Sequence, residues 1–251
     1  MKEVKRIKNI LFLLLLLSLT AKAYPPPTGE FLKKYGFSFA GSGVFSFFKV
    51  DTRHSEAAHM RPGFGGIFRF QVYPTSSVHV QLGLEIMSQA TRFNTYYFDN
   101  GHSQLYDLSF GYTHTLRTTE LYLPLMVRIG VKGDEVNQQS IFYVLGGYSP
   151  KIFLGSNTSI IENKTGKEVF KGSTELEYEH QFLGAQVGNV LLAGIGLDRR
   201  QGFHEKFLSF ELIFRYNLSR FNYYGRIGTQ NTNELLIKNS CINLQVGYRF
   251  Q

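Results

Sequence analysis

Seven histidines, one cysteine and a scatter of serines carry whatever nucleophilic or metal chemistry this chain has. The histidines are His54, His59, His79, His102, His114, His180 and His204. A metal site needs ligands that converge at short spacing. No HxH or HExxH pattern occurs among them, so no metal site is expected. A nucleophile needs a base within reach and a third group to orient that base. The best such set is Ser103 or Ser109 with His102 or His114, backed by Asp107 or Glu120. Its spacing is no better than chance, so no enzyme is expected. Lys164-Thr165-Gly166-Lys167 lacks the glycine spacing and the strand-to-helix context of a phosphate loop and reads as a polar turn, so no cofactor is expected either. Asn157-Thr158-Ser159 and Asn163-Lys164-Thr165 match the glycosylation acceptor pattern with nothing further behind them. The single Cys241 excludes a disulfide framework and a multi-cysteine zinc site.

A second set of ionisable residues is ordered. Arg69, Glu85, Glu120, Arg128, Glu211, Arg215 and Arg249 fall on one face of segments that alternate with a period of two, Lys151 joins them if its strand is phased alike, and His79 lies on the same face. A period of two is a β-strand with two environments. In Val78–Ile86 the even positions are Val, Val, Leu, Leu and Ile, and the odd ones are His79, Gln81, Gly83 and Glu85. The same alternation gives eight strands, over 35–50, 62–73, 78–93, 117–131, 140–154, 182–198, 206–220 and 236–250. Most are longer than the ~5–6 residues usual in soluble sheets. They also exceed the ~9–11 residues that cross a bilayer as a tilted strand. Connections alternate in length. Those at 94–116, 155–181 and 221–235 are long, and those at 74–77, 132–139 and 199–205 are short. This pattern predicts an all-β, eight-stranded antiparallel up-and-down transmembrane barrel, with both termini on the short-turn, periplasmic side.

A soluble lipocalin-type barrel also alternates, with its apolar face inward. The polar face decides between the two. It is mostly Gly, Ser, Gln and Asn with few charges, too sparse for a wall facing water. The apolar rows of Phe, Leu, Val and Tyr are therefore expected to face lipid. Eight strands leave an interior that side chains fill, so the inward charges are expected to pair and plug the lumen. A narrow porin-like channel is the alternative. A second cluster, Tyr96, Tyr97, Phe98 and Tyr106, puts exposed aromatics on a long outer loop and is a candidate contact surface.

Lys2, Lys5, Arg6 and Lys8 precede an apolar run from Ile10 to Leu19, and Ala21-Lys22-Ala23 supplies a small-x-small cleavage pattern. These features predict a signal peptide over 1–23, cleaved after Ala23. A proline-rich periplasmic lead-in over 24–34 and a barrel over 35–251 follow. The formal charge is +8 from 27 bases and 19 acids, but residues 1–23 hold five bases and one acid. The remainder is 22 against 18, so a nucleic-acid partner is not expected. Charged residues are 18% of the chain, against about 25% in ordinary soluble proteins.

The last strand ends Gly247-Tyr248-Arg249-Phe250-Gln251. Tyr248 and Phe250 resemble the aromatic signal read by outer-membrane assembly machinery, although that signal usually ends on the aromatic. Taken with Leu121-Tyr122-Leu123-Pro124-Leu125, Tyr143-Val144-Leu145-Gly146-Gly147-Tyr148 and Gly194-Ile195-Gly196-Leu197, this segment resembles the PorT-like outer-membrane β-barrel proteins of Gram-negative bacteria. The resemblance covers most of 35–250. It implies an eight-stranded barrel in the outer membrane and no single activity, the founding member being an accessory of type IX secretion. The expected role is thus a monomeric structural or interaction protein. Its partners would be outer-membrane lipid, the assembly machinery and a protein of the envelope or a secretion system. A lipid-modifying enzyme is a third, weaker reading.

Overall fold

Strands with one apolar and one small or polar face can turn the first to lipid and enclose the second by closing into a ring, and closure also removes unpaired edges. The computed structural model describes residues 35–51, 59–73, 78–96, 111–130, 140–174, 176–178, 181–182, 185–200, 206–223, 226–227, 230–231 and 235–250. The expected signal peptide and lead-in, and Tyr97, Phe98 and Tyr106, lie outside these residues, as does the side chain of Tyr96. In chain order the strands are β1 (Tyr35–Asp51), β2 (His59–Val72), β3 (Val78–Tyr96), β4 (Gly111–Tyr122), β5 (Leu125–Gly130), β6 (Ser140–Glu162), β7 (Glu168–Ser173) and β8 (Leu176–Tyr178). They continue as β9 (Gln181–Phe182), β10 (Ala185–Gln186), β11 (Gly188–Arg200), β12 (Lys206–Asn217), β13 (Phe221–Tyr223), β14 (Arg226–Ile227), β15 (Gln230–Asn231) and β16 (Leu235–Phe250).

Eight staves make a closed antiparallel ring. They are β1, β2, β3, β4 continued by β5, β6, β11, β12 and β16, and β16 pairs back onto β1 from Phe37↔Phe250 to Asp51↔Leu236. One ladder row runs Tyr35, Val72, Val80, Val127, Gly146, Ala193, Phe214, Ile242 and returns to β1 at Phe45. The row has climbed from residue 35 to residue 45, a stagger of ten. That stagger tilts eight strands by roughly 40–45°. Tyr35 and Phe250 stand at the same rim, here called the near rim.

Several boundaries differ from those read in the sequence. The expected strand 117–131 starts at Gly111 and is broken at Leu123–Pro124. Pro124 has no N–H to give β3, and Pro150 on β6 has none to give Leu123. Single bonds from Gly83 N to Pro124 O (2.8 Å) and from Leu123 N to Pro150 O (3.0 Å) keep the stave continuous. The strand expected at 140–154 runs on to Glu162 and folds back as β7 through a turn at 163–167. Gly166 takes φ 68° there and donates to Glu162 O at 2.8 Å. The stave expected at 182–198 begins at Gly188, because Gln181–Phe182 and Ala185–Gln186 pair with each other instead.

The wall changes character along its height. On β3 the outward residues are Val78, Val80, Leu82, Leu84 and Ile86, then Ser88, Ala90, Arg92 and Asn94. The inward residues include Gln81, Glu85 and Gln89, then Phe93. On β4 the outward Thr115, Arg117 and Thr119 stand opposite an inward Leu116. Near the termini the barrel is apolar outside and polar inside; at the far rim this reverses. The apolar belt on β1 runs from Phe37 to Phe47, which at that tilt is about 25 Å, the thickness of a bilayer band. Above it Phe48, Phe93, Leu116, Tyr178, Phe221, Tyr223 and Ile237 form a buried cluster inside the wall.

A membrane-impermeant maleimide should therefore react with Arg92→Cys and Arg117→Cys in reconstituted vesicles, and not with Leu82→Cys or Ile86→Cys. Equal labelling of all four would place the belt elsewhere.

Candidate functional site: the lumen ion network

Each inward charge is delivered by a stave whose opposite face is held in the apolar belt, so its direction is fixed by register. Among the described residues nine charged side chains are buried inside: Arg69, Arg128, Lys151, Arg215 and Arg249 against Glu85, Glu120, Asp198 and Glu211. They sort into three tiers.

The near-rim tier centres on Asp198 of β11. It accepts from Arg128 of β5, from Arg249 of β16 at 2.8 Å, and from Ser209 at 2.5 Å. The Arg128 guanidinium lies 3.4 Å from the centre of the Tyr143 ring and that of Arg249 lies 4.3 Å from the Phe207 ring. The middle tier joins five staves. Arg69 of β2 bonds Glu85 of β3 at 2.8 Å, Glu211 of β12 at 2.5 Å and the Gln245 amide oxygen of β16 at 2.6 Å. The second Glu85 oxygen takes Arg215 of β12, and Tyr143 donates to Glu211 at 2.8 Å. The third tier centres on Glu120 of β4, which accepts from Lys151 of β6 at 3.0 Å, from Tyr122 at 2.5 Å and from Tyr178 at 3.3 Å.

Between the tiers the lumen is packed with Val44, Met87, Met126, Leu145, Val190, Leu192 and Ile213. Glycines make room for the rings. A Cβ on Gly196 would stand 2.2 Å from the Tyr143 ring, and one on Gly188 would stand 2.8 Å from Tyr178. A cavity of about 10 Å³ lies among Ser38, Arg69, Gln71, Arg128, Glu211 and Gln245, which is room for about one water. At the far end the lumen meets the aromatic cluster, where Phe153 stacks on Tyr178 at 4.3 Å. The arrangement pairs each buried carboxylate with at least one cation and fills space.

All seven charges named from the sequence, Arg69, Glu85, Glu120, Arg128, Glu211, Arg215 and Arg249, are brought into this network. His79 lines the near-rim tier, 3.5 Å from Arg249. Asp198 was missed. It continues the small-residue row Gly194 and Gly196 by one period, and that spacing was its only signal. Tyr122, Tyr143 and Gln245 join the network as neutral partners that the sequence reading did not name. The candidate catalytic set is not assembled among the described residues. His114 faces Thr95 at 2.8 Å and Tyr223 at 3.0 Å, and Glu120 is held by Lys151. Ser103, Ser109, His102 and Asp107 lie outside the described residues. Tyr248 and Phe250 stand outward at the near rim.

No family model and no curated protein matches the chain. The fold has solved counterparts. Outer membrane protein OprG from Pseudomonas aeruginosa is 13% identical, with 87% of this chain and 96% of that one covered, at a TM-score of 0.50. Neisserial surface protein A is 11% identical over 85% of this chain and 96% of that one, at 0.39. A major outer membrane protein from Thermus thermophilus is 8% identical over 85% and 99%, at 0.44. The ring, the belt and the filled lumen define a transmembrane β-barrel of the outer-membrane type.

Two expectations follow. Glu85→Gln leaves Arg69 and Arg215 short of their shared carboxylate and should lower the unfolding free energy by about 3–5 kcal/mol in urea titrations. Pairing it with Arg215→Leu should recover part of that loss. Separately, His114 lies above the belt, where burial beside Phe93 and Tyr223 pushes its imidazole down to about 4. Unfolding then takes up a proton below the ordinary value of ~6.5. The stabilisation is present above about pH 6.5 and is lost as pH falls towards 4. Urea midpoints between pH 7.5 and 4.5 should fall less steeply in His114→Phe.

Proposed function

We propose that this protein is a rigid outer-membrane anchor that displays its far-rim segments to a partner in the envelope. The observation that carries the reading is the filled lumen. Three tiers of ion pairs and an aromatic cap occupy the interior, which leaves the exposed surfaces as the place where the protein meets other molecules. The far rim is the one to which the long connections attach; Tyr96 ends β3 there, and Tyr97, Phe98 and Tyr106 belong to the connection that follows. Aromatic side chains there suit a protein, glycan or headgroup contact.

The leader over residues 1–23, cut after Ala23, and the closing Tyr248 and Phe250 are the features that would route the chain to the outer membrane. The PorT-like segments favour an accessory role in a secretion or envelope complex over catalysis.

The test is site-specific photo-crosslinking in cells that express the protein. A benzophenone side chain at Tyr97 or Tyr106 should give a discrete protein adduct. The same group at Leu82, which faces the belt, should give none. Absence of protein adducts from both loop positions, with the barrel shown to be folded by its heat-modifiable gel mobility, contradicts the display role.

A further inference from the structure

We propose that a cationic site on the outside of the wall, centred on Lys49, Lys238 and Arg220, binds the phosphorylated headgroup of a membrane lipid whose acyl chains lie along the belt below. The proposal rests on the barrel spanning a membrane and is independent of the display role.

The first observation is an uncomfortable pairing. Lys49 of β1 and Lys238 of β16 are direct cross-strand partners at the seam where the ring closes. Like charges directly opposite are destabilising, and an anion seated between them would reverse the sign of that interaction. Neither lysine forms an ion pair with a carboxylate among the described residues. Lys238 instead donates to the Tyr216 hydroxyl at 2.8 Å, with its ammonium 4.2 Å from the centre of that ring.

The second observation is a groove. About 360 Å³ of space lies over Phe47, Lys49, Tyr216, Arg220, Leu236 and Lys238. Its rim carries three cations and its floor is aromatic and aliphatic. The groove opens outward at the upper edge of the apolar belt, and Phe45, Phe214 and Leu244 continue that face downward. A charge held at the rim puts any attached chain against these side chains. A free anion would use only the rim, whereas a phosphorylated lipid uses both.

The cations also continue around the wall. Arg61 of β2 and Arg117 of β4 share a ladder row through Ala90, and Arg92 of β3 stands two residues above it. All three are exposed and face outward. A collar of outward cations at this height fits headgroup phosphates. The groove is where the collar acquires an apolar floor.

The full-length protein, purified from membranes in detergent, can be titrated with diphosphorylated lipid A, with the dephosphorylated lipid and with inorganic phosphate, and read by native mass spectrometry. Expected are a one-to-one complex with the phosphorylated lipid and at least ten-fold weaker binding of the dephosphorylated form. The double variant Lys49→Gln/Lys238→Gln should bind at least ten-fold more weakly. Lys206→Gln, at the near rim, serves as a control that should bind normally. Equal binding by the double variant, with heat-modifiable mobility intact, overturns the proposal. So does equal binding of the two lipids, and so does displacement of the lipid by inorganic phosphate at matching concentration.

Discussion

Glu85 has no route to water, yet it is surrounded by the charges that let it stay ionised: Arg69 from β2 on one oxygen and Arg215 from β12 on the other. Because those arginines arrive from staves on either side of the lumen, the pairing can form only when the ring is closed in one register. A slip of a single residue would turn Arg69, Glu85 or Arg215 out into the belt. A cation at the bilayer midplane costs about 2–4 kcal/mol, and its former partner would be left buried and unpaired. The apolar belt and the lumen network therefore enforce each other. Asp198 repeats the device near the termini with Arg128 and Arg249, and Glu120 repeats it with Lys151 below the far rim.

Three such tiers stack inside a barrel of eight staves. The spaces between them are taken by aliphatic side chains and by Tyr122 and Tyr143, whose rings also receive Arg215 and Arg128. Cation–ring contacts matter here because, among the described residues, five buried cations face four carboxylates. Above the belt the interior turns apolar and the exterior polar, as in a small soluble barrel. The protein is thus two barrels in one wall, a membrane one and a soluble one, sharing strands β3, β4, β6 and β16. The exchange of faces falls where Lys49, Lys238, Arg92 and Arg117 stand outward.

Most of the membrane part was legible in the sequence, because lipid outside and a crowded lumen inside impose a strict period of two. Val78 to Ile86 and Ile242 to Phe250 carry that period without error. The soluble part was not legible. Gly155-Ser156-Asn157-Thr158-Ser159 has the composition of a loop, yet it is strand, paired with β4 on one side and β7 on the other. Small polar residues facing water satisfy a strand above the belt as well as a loop, so composition cannot separate the two. Phe93 and Leu116 are inward because above the belt the sign of the pattern flips while its period stays. Asp198 escaped notice because glycines dominate its row and give no polarity to extend.

Whether the lumen is closed is the claim on which the rest turns, and planar-bilayer conductance reads it most directly. The full-length protein purified from membranes is measured beside Glu120→Gln and Arg128→Gln, each of which loosens one tier. The account expects no steady conductance from the unsubstituted barrel. A reproducible open current in the unsubstituted protein, with an ion selectivity that either substitution shifts, would mean that the network lines a path, and would contradict it.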